Sequence, residues 1–142
     1  MVLRVLAIDP GEVHCGVAIF EAGVCVETNE VRPSALYGMI ERMLLNAVVI
    51  EEFRLYPDKA KVQGYSQLKT VEVIGVVRYL CERERIPLIE QGASIKKVAK
   101  AQMTARGVGN LAVTQKSGGH AADAVLHGWY YTNRRIGKAN DG

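Results

Sequence analysis

The segment Leu6-Ala7-Ile8-Asp9-Pro10-Gly11, followed by Gly16, decides how the rest of the chain is arranged. An apolar run over residues 2–8 leads into a carboxylate and stops at a Pro-Gly turn, which is typical of a buried strand that ends there. A charge at the end of a buried strand needs a partner, because burying an unpaired charge is costly. Asp9 therefore either caps the turn or holds a cation, and the D-P-G sequence alone leaves both alternatives open.

Charge is distributed unevenly along the 142 residues. Residues 1–53 have 3 Lys or Arg against 8 Asp or Glu, a net charge of −5; residues 54–106 have 11 against 5, or +6; residues 107–142 have 4 against 2, or +2. A cation site beside a polyanion would need such a distribution, although solvated charges can give the same values. With 49% hydrophobic and 23% charged residues, we expect a single globular domain over residues 1–142.

The sequence has no feature of a membrane or secreted protein. We find no apolar run of about 18 residues and no charged-then-apolar leader with a cleavage site. The three cysteines, Cys15, Cys25 and Cys81, are widely spaced in apolar segments, which favours reduced thiols over disulfides or a zinc site. We therefore expect a cytoplasmic protein without a membrane partner.

Hydrophobic periodicity predicts an α/β fold with a mixed five-stranded sheet flanked by helices. Three strands, at residues 2–8, 14–20 and 24–31, form an antiparallel meander with a turn at Ala22-Gly23. A helix follows from Pro33-Ser34 to about Asn46. The wholly apolar residues 47–50 then have the pattern of an interior parallel strand, and they lead into Glu51. A second acidic residue thus lies at a strand end.

The rest of the chain is predicted to be mainly helical. Residues 70–86 combine β-branched residues with the length and charged end of a helix, and we favour a helix. Its apolar residues lie on more than one face, which would suit packing against both the sheet and a second subunit. The remaining predictions are an exposed loop at 53–67, a strand at 87–89, a basic helix capped by Ser94, a loop at 104–117, a helix from His120 to about Tyr131, and a frayed tail from about residue 133.

Two potential ligands lie on the final helix. His120 and Asp123 are three residues apart and project from the same face. Together with Asp9 and Glu51 they form a set rich in oxygen, which favours a hard cation such as Mg²⁺ or Mn²⁺ over a closed zinc site. His127 lies on the same face but about 10 Å along the axis from His120, so we predict a packing or surface role for it.

The combination of motifs resembles the RuvC family of Holliday-junction resolvases, whose fold is RNase H-like, and especially its short members from bacteriophages. The resemblance spans nearly the whole chain. It implies a structure-selective endonuclease that cuts four-way junctions and other branched DNA, such as flaps and forks. It also implies two Mg²⁺ or Mn²⁺ ions per active site, a homodimer, and action in a bacterial or phage-infected cell. The matching segments are Ile8-Asp9-Pro10-Gly11 with Gly16, Val49-Ile50-Glu51-Glu52-Phe53, and His120-Ala121-Ala122-Asp123-Ala124.

The resemblance also implies roles for individual residues. Asp9, Glu51 and Asp123 match the metal-binding acids, and we expect Asp9 to bridge two ions about 4 Å apart. His120 lies where most members have a further Asp and some have His. Lys96 lies near a lysine that contacts the cleaved backbone. Phe53 is one position out of register with an aromatic residue that stacks on bases. Further DNA-binding candidates are Arg54, Lys59, Lys61, Lys69, Lys97, Lys100 and Lys116.

Other functions fit parts of this pattern. Another RNase H-like nuclease, acting on RNA/DNA hybrids or RNA precursors, would use the same acids; a dimer would favour the resolvase, because a junction has two equivalent strands to cut. A sugar-kinase or actin-like ATPase needs two such domains, which 142 residues cannot hold. A catalytically weak junction-binding module is disfavoured, because all four ligand positions have residues able to bind a metal.

Overall fold

The computed structural model describes residues 3–53, 65–107 and 119–141, except the side chains of residues 65–66 and 134–141. This part of the chain forms one five-stranded sheet and four helices. The elements are β1 (Arg4–Asp9), β2 (Cys15–Glu21), β3 (Val24–Val31), α1 (Pro33–Arg42), β4 (Ala47–Glu51), α2 (Tyr65–Glu84), β5 (Leu88–Gln91), α3 (Ile95–Ala105) and α4 (His120–Asp141).

The sheet has the order β3-β2-β1-β4-β5. Strands β1, β2 and β3 pair antiparallel, whereas β4 and β5 are added in parallel to β1, as the sequence predicts. In this register Ile8 is opposite Ile50, and Glu51 is opposite Gln91. The carboxyl ends of the three parallel strands therefore meet at one end of the sheet.

The two faces of the sheet carry separate cores, because side chains alternate along a strand. On β1, Leu6 and Ile8 pack into a core that contains the apolar residues of α1 and α2. Val5 and Ala7 point to the opposite face, where the core includes residues of α3 and α4. Because helices cover both faces of the sheet, every residue in the middle of β1 and β4 is buried, and both strands are continuous apolar runs.

Helix α4 lies directly against β2 where glycine leaves room. A Cβ atom on Gly16 would be 1.9 Å from the carbonyl oxygen of His120, and one on Gly128 would be 2.2 Å from the ring of Phe20. No side chain fits at such distances, so the helix backbone sits on the strand. Gly16 is opposite Asp9 in the β1–β2 register. The close approach thereby brings the start of α4 to the end of β1.

Several predicted element ends are wrong. Asp9 and Glu51 are the last residues of their strands rather than the residues after them. Helix α1 ends at Arg42, since Met43 is already extended and its N–H bonds to the carbonyl of Met39. Ser94 occupies the N-cap position of α3, but its backbone is helical and its side chain makes no capping hydrogen bond.

The longer helices differ most from prediction. Helix α2 begins at Tyr65, inside the predicted loop, and ends at Glu84. Helix α4 continues to Asp141, well beyond the predicted end near Tyr131, whereas fraying of the tail stays a prediction. The residues after Tyr131 are polar, but polar residues form a helix readily when few of them are glycine or proline. The predicted turn at Ala22-Gly23 is present, and both residues have positive φ, as in a type I′ hairpin.

Cys15, Cys25 and Cys81 form no disulfide in the structure, and their being reduced stays a prediction. Cys15 and Cys81 are buried in the core. In the part of the chain that the structure describes, no helix has the length and apolar character needed to cross a membrane.

Candidate metal centre

Three acidic residues from distant parts of the sequence converge at one end of the sheet. Asp9 ends β1, Glu51 ends β4, and Asp123 lies in the first turn of α4. Each offers a carboxylate oxygen, and these oxygens lie within 4.8 Å of one another. Oxygen ligands of a Mg²⁺ ion lie about 2.1 Å from it, hence up to about 4.2 Å apart, so small side-chain rotations would let all three bind. The donor set thus fits a hard divalent cation.

The electrostatics of the cluster favour a cation. Burial raises the pKa of Asp9 to about 7; the hydrogen bond with His120 opposes this rise and the charge of Glu51 adds to it. Burial alone would raise the pKa of Glu51, but the hydrogen bond with His127 and the charge of Lys96 lower it to about 2. Glu51 is therefore ionised near neutral pH, while Asp9 is poised to lose or keep its proton. A bound cation would favour the ionised form of both.

Lys96 supplies a positive charge next to the acids. Its Nζ lies 3.5 Å from Oε2 of Glu51 and 3.3 Å from Oδ2 of Asp123. Burial alone would lower the pKa of Lys96, but the two carboxylates raise it, so the side chain is an ammonium at neutral pH. Lys96 thus lies beside the acids, whereas its predicted contact with the cleaved backbone stays a prediction. Because α3 packs against α4, the helix that carries Lys96 is held beside the cluster.

His120 contacts Asp9 rather than completing the acidic cluster. Its Nδ1 and Oδ2 of Asp9 share a hydrogen bond of 2.6 Å, and its side chain is 47% exposed. A Cβ on Gly11 would lie 3.3 Å from Nε2 of His120, so the ring lies over the turn after β1. The group of three oxygens within 4.8 Å does not include His120. Its role as a metal ligand stays a prediction.

The contacts of His127 with Glu51 and Gln91 are not predicted by the sequence pattern. His127 is fully buried, its Nε2 is 3.1 Å from Oε2 of Glu51, and its Nδ1 is 2.8 Å from Oε1 of Gln91. The predicted packing role is right about burial but leaves out the contact with an acid of the site. Two signals pointed to it: His127 lies four residues after Asp123 on one helix face, and a polar Gln91 follows an apolar strand. Because the predicted strand ended at residue 89, Gln91 was not placed beside Glu51.

The other predicted DNA-binding residues lie in different places. Lys97 and Lys100 are exposed on α3. Lys69 lies on α2, where its Nζ is 3.6 Å from Glu72. Phe53 is half-buried and packs against the core on the side of α1 and α2. Four predicted residues lie outside the described part of the chain: Arg54, Lys59, Lys61 and Lys116.

The mixed five-stranded sheet in this order, flanked by helices, belongs to the RNase H-like class of folds. Within this class the chain has the RuvC fold. It matches Thermus thermophilus RuvC in complex with Holliday junction substrate with a TM-score of 0.71 and 20% identity, over 95% of this chain and 96% of that chain. A second Thermus thermophilus RuvC structure matches with a TM-score of 0.66 and 19% identity, over 95% and 97% of the two chains.

No family model matches the chain. No curated protein matches it either. At 19–20% identity the likeness to RuvC concerns the fold.

Proposed function

We propose that the chain is a member of the RuvC family, an endonuclease that resolves Holliday junctions and cuts other branched DNA. The observation that carries this proposal is the convergence of Asp9, Glu51 and Asp123 within 4.8 Å at the end of a RuvC-like sheet. The matching Thermus thermophilus protein is described in complex with a Holliday junction substrate. The likeness to that protein supports branched DNA as the substrate class, and the three acids support metal-dependent cleavage. Such an enzyme would act in the cytoplasm of a bacterial or phage-infected cell.

The metal requirement follows from the donor set. Asp9, Glu51 and Asp123 would hold Mg²⁺ or Mn²⁺, two ions per active site, with His120 as a further ligand. When bound, such ions activate a water molecule for in-line attack on the phosphodiester and stabilise the leaving oxygen. The carboxylates must be ionised to bind such ions, so Asp9 would have to be deprotonated in the metal-bound site. Asp9 and Glu51 end adjacent parallel strands, which fixes their backbones relative to each other.

Basic residues of α3 would bind the DNA backbone. The ammonium of Lys96 lies at the acidic cluster, within reach of a phosphate bound there. Lys97 and Lys100, exposed on the same helix, extend the positive charge away from the site. Contacts of this kind supply affinity and orientation without reading the base sequence. Selectivity for branched DNA would then come from its shape.

The outer face of α2 supports a homodimer. Its inner face packs on the sheet, yet Leu68 is 65% and Tyr79 60% exposed, and Val71 and Val76 are exposed as well. A groove of about 560 Å³ runs along this face and is lined in part by Pro33 and Tyr37. Exposed apolar patches of this kind mark interaction sites. A second copy of the chain, packed through the same face by two-fold symmetry, would present two sites to the two equivalent strands of a junction.

One set of assays tests the proposed activity. Labelled four-way junction, flap, fork, RNA/DNA hybrid and linear duplex are incubated with the protein in Mg²⁺ or in Mn²⁺. We expect paired, symmetric cuts in the junction, weaker cutting of flaps and forks, and little cutting of linear duplex. Preferential cutting of the hybrid would favour a different RNase H-like nuclease. Tight junction binding with no cleavage in either metal would favour a binding module instead.

A further inference from the structure

We infer that His127 is a positioning residue for Glu51, held in place by Gln91, and that this buried chain of hydrogen bonds sets the metal affinity of the site. The inference rests on the proposed function and names a further residue that serves it. His127 would not touch metal or substrate. It would act through the carboxylate of Glu51, which belongs to the acidic cluster.

The contacts form a continuous chain from the last strand to the acid. Oε1 of Gln91 lies 2.8 Å from Nδ1 of His127, and Nε2 of His127 lies 3.1 Å from Oε2 of Glu51. His127 is 0% and Gln91 9% exposed, so water does not replace either partner readily. Gln91 and Glu51 are directly opposite in the parallel pairing of β4 and β5. The sheet register thus fixes both ends of the chain, and α4 contributes the ring between them.

The hydrogen-bond roles follow from the acceptor character of Glu51. An ionised carboxylate only accepts hydrogen bonds, so Nε2 of His127 must carry the proton and donate it. If the side-chain oxygen of Gln91 faces Nδ1, then Nδ1 donates to it, and the ring, protonated on both nitrogens, is an imidazolium. If the amide group of Gln91 is rotated by 180°, its NH₂ group donates to Nδ1, and the ring is neutral. Either orientation of the Gln91 amide group therefore gives a hydrogen bond with Nδ1. In both arrangements His127 donates to Glu51.

This donation limits the orientation of Glu51. Oε2 of Glu51 receives contacts from Nε2 of His127 and, at 3.5 Å, from Nζ of Lys96, which approach from α4 and α3. Lys96 is flexible and also contacts Asp123, whereas the buried ring of His127 has no freedom to leave. Partners that orient a ligand carboxylate typically change metal affinity or activity by about 10- to 100-fold when removed. His127 occupies such a position toward Glu51.

The main test replaces His127 and measures metal binding directly. His127→Leu introduces an apolar side chain of similar size and removes the N–H group that donates to Glu51. We expect Mn²⁺ binding, measured by calorimetry and by electron paramagnetic resonance of free Mn²⁺, to weaken by about 10-fold or more. Junction binding in EDTA should stay within about two-fold of wild type, because the basic residues are untouched. Cleavage should need correspondingly more metal.

A control variant separates positioning from stability. Thr132 is also buried on α4 and uses its hydroxyl within the helix, toward the carbonyl of Gly128. Thr132→Val removes that hydrogen bond far along the helix from the acids, so it should lower the melting temperature without changing Mn²⁺ affinity. If Thr132→Val weakened Mn²⁺ binding as much as His127→Leu does, a purely structural role of His127 would be indicated and the inference would be overturned.

Two further variants keep the inference testable if His127→Leu does not fold. His127→Gln retains an N–H donor at nearly the position of Nε2 and should restore most of the Mn²⁺ affinity. Gln91→Met keeps the volume but removes the partner of Nδ1, and should weaken Mn²⁺ binding by several-fold. If Gln91→Met, and His127→Leu where it folds, bind Mn²⁺ with wild-type affinity, the inference about His127 is overturned, while the proposed function is unaffected. If wild type itself binds no Mn²⁺, the proposed function fails, and the role of His127 fails with it.

Discussion

At the scale of single residues, Asp9 carries a charge that its surroundings oppose. Burial and the neighbouring Glu51 favour the protonated form, so the metal-free protein is destabilised when Asp9 ionises. The folded state binds this proton more tightly than the unfolded chain, whose ordinary pKa is 3.8. The contribution of Asp9 to stability therefore falls as pH rises from about 4 to about 7. A residue that costs stability in this way is expected where function needs the charge.

Asp9→Asn should separate the two consequences of that charge. Without the carboxylate, cleavage of a junction should fall by orders of magnitude while junction binding persists. In EDTA at pH 8 the variant should be more stable than wild type by about 1 kcal/mol or more, and this difference should shrink toward pH 4. Gel assays and thermal unfolding at the two pH values measure both effects. Undiminished cutting by Asp9→Asn would remove Asp9 from the proposed mechanism.

His120→Asp tests whether the imidazole is a ligand. An imidazole is a softer and neutral ligand, so a site that contains it should tolerate Mn²⁺ better relative to Mg²⁺ than an all-carboxylate site. If His120 binds metal, the variant keeps substantial cleavage and the ratio of rates in Mn²⁺ and Mg²⁺ shifts toward Mg²⁺. If His120 instead bonds a phosphate, DNA binding weakens and the ratio stays constant. Rates in the two metals, together with junction affinity in EDTA, distinguish these outcomes.

The residues of the site differ in how far sequence could predict them. Asp9 and Glu51 were predictable because each ends an apolar strand, and parallel strand ends meet at one end of a sheet. Asp123 followed from its helix and from the resemblance to RuvC. The contact of His127 with Glu51 was not predictable. Residue spacing along α4 gives the distance of His127 from His120, but it does not show which side chains of β4 lie next to His127. Contacts between elements depend on register, which local periodicity leaves open.

At the scale of secondary structure, the site depends on how closely α4 approaches β2. Gly16→Ala would place a Cβ 1.9 Å from the His120 carbonyl oxygen, so the start of α4 must move away from the sheet. We expect a loss of about 1–3 kcal/mol in unfolding free energy, the usual range for overpacking, and a larger proportional loss of cleavage, because His120 and Asp123 move with the helix. Denaturant unfolding and single-turnover cleavage measure the two effects.

Gly38→Ala is the matched control for this substitution. Among the residues that the structure describes, a Cβ on Gly38, in the interior of α1, would meet only the end of the Arg42 side chain at 3.9 Å. Replacing a helical glycine by alanine at an open position stabilises by up to about 1 kcal/mol. Gly38→Ala should therefore be at least as stable as wild type and fully active. Equal stability and activity in Gly16→Ala would mean that α4 does not need its close contact with β2.

The elements themselves were mostly predictable, whereas their ends were not. The parallel strands follow from apolar runs, and the sheet order confirms them. The helix predicted over residues 70–86 is present, and one face of it packs in the core. The start of α2 at Tyr65 was missed because the residues before position 70 are polar and lack periodicity. The apolar residues of a helix mark the face that packs against the core, but they do not show how far the helix continues through turns exposed to solvent. Helix ends therefore depend on tertiary contacts that a sequence pattern does not contain.

At the scale of the whole molecule, the proposed dimer depends on the exposed face of α2. Gly75 lines the groove on this face, and a Cβ added there meets no atom of the described residues within 4 Å. Gly75→Glu should therefore leave the fold of one subunit intact while placing a charge where a second copy would pack. We expect wild type to have a dimeric mass at micromolar concentration, and the dissociation constant of Gly75→Glu to be at least about 10-fold larger, because a buried unpaired charge is costly. Light scattering and sedimentation measure both masses.

Gly38→Glu controls for the added charge, since it places the same side chain in a helix position outside the groove. It should remain dimeric and cut junctions as wild type does. Under conditions where Gly75→Glu is monomeric, we expect nicking of single strands to persist and paired cuts within one junction to become rare, because each subunit would supply one active site. The metal site is on residues far from Gly75 in sequence and on other elements, so Mn²⁺ affinity should not change. A monomeric wild type, both alone and bound to a junction, would contradict the dimer and leave the nuclease proposal to stand on the acidic cluster.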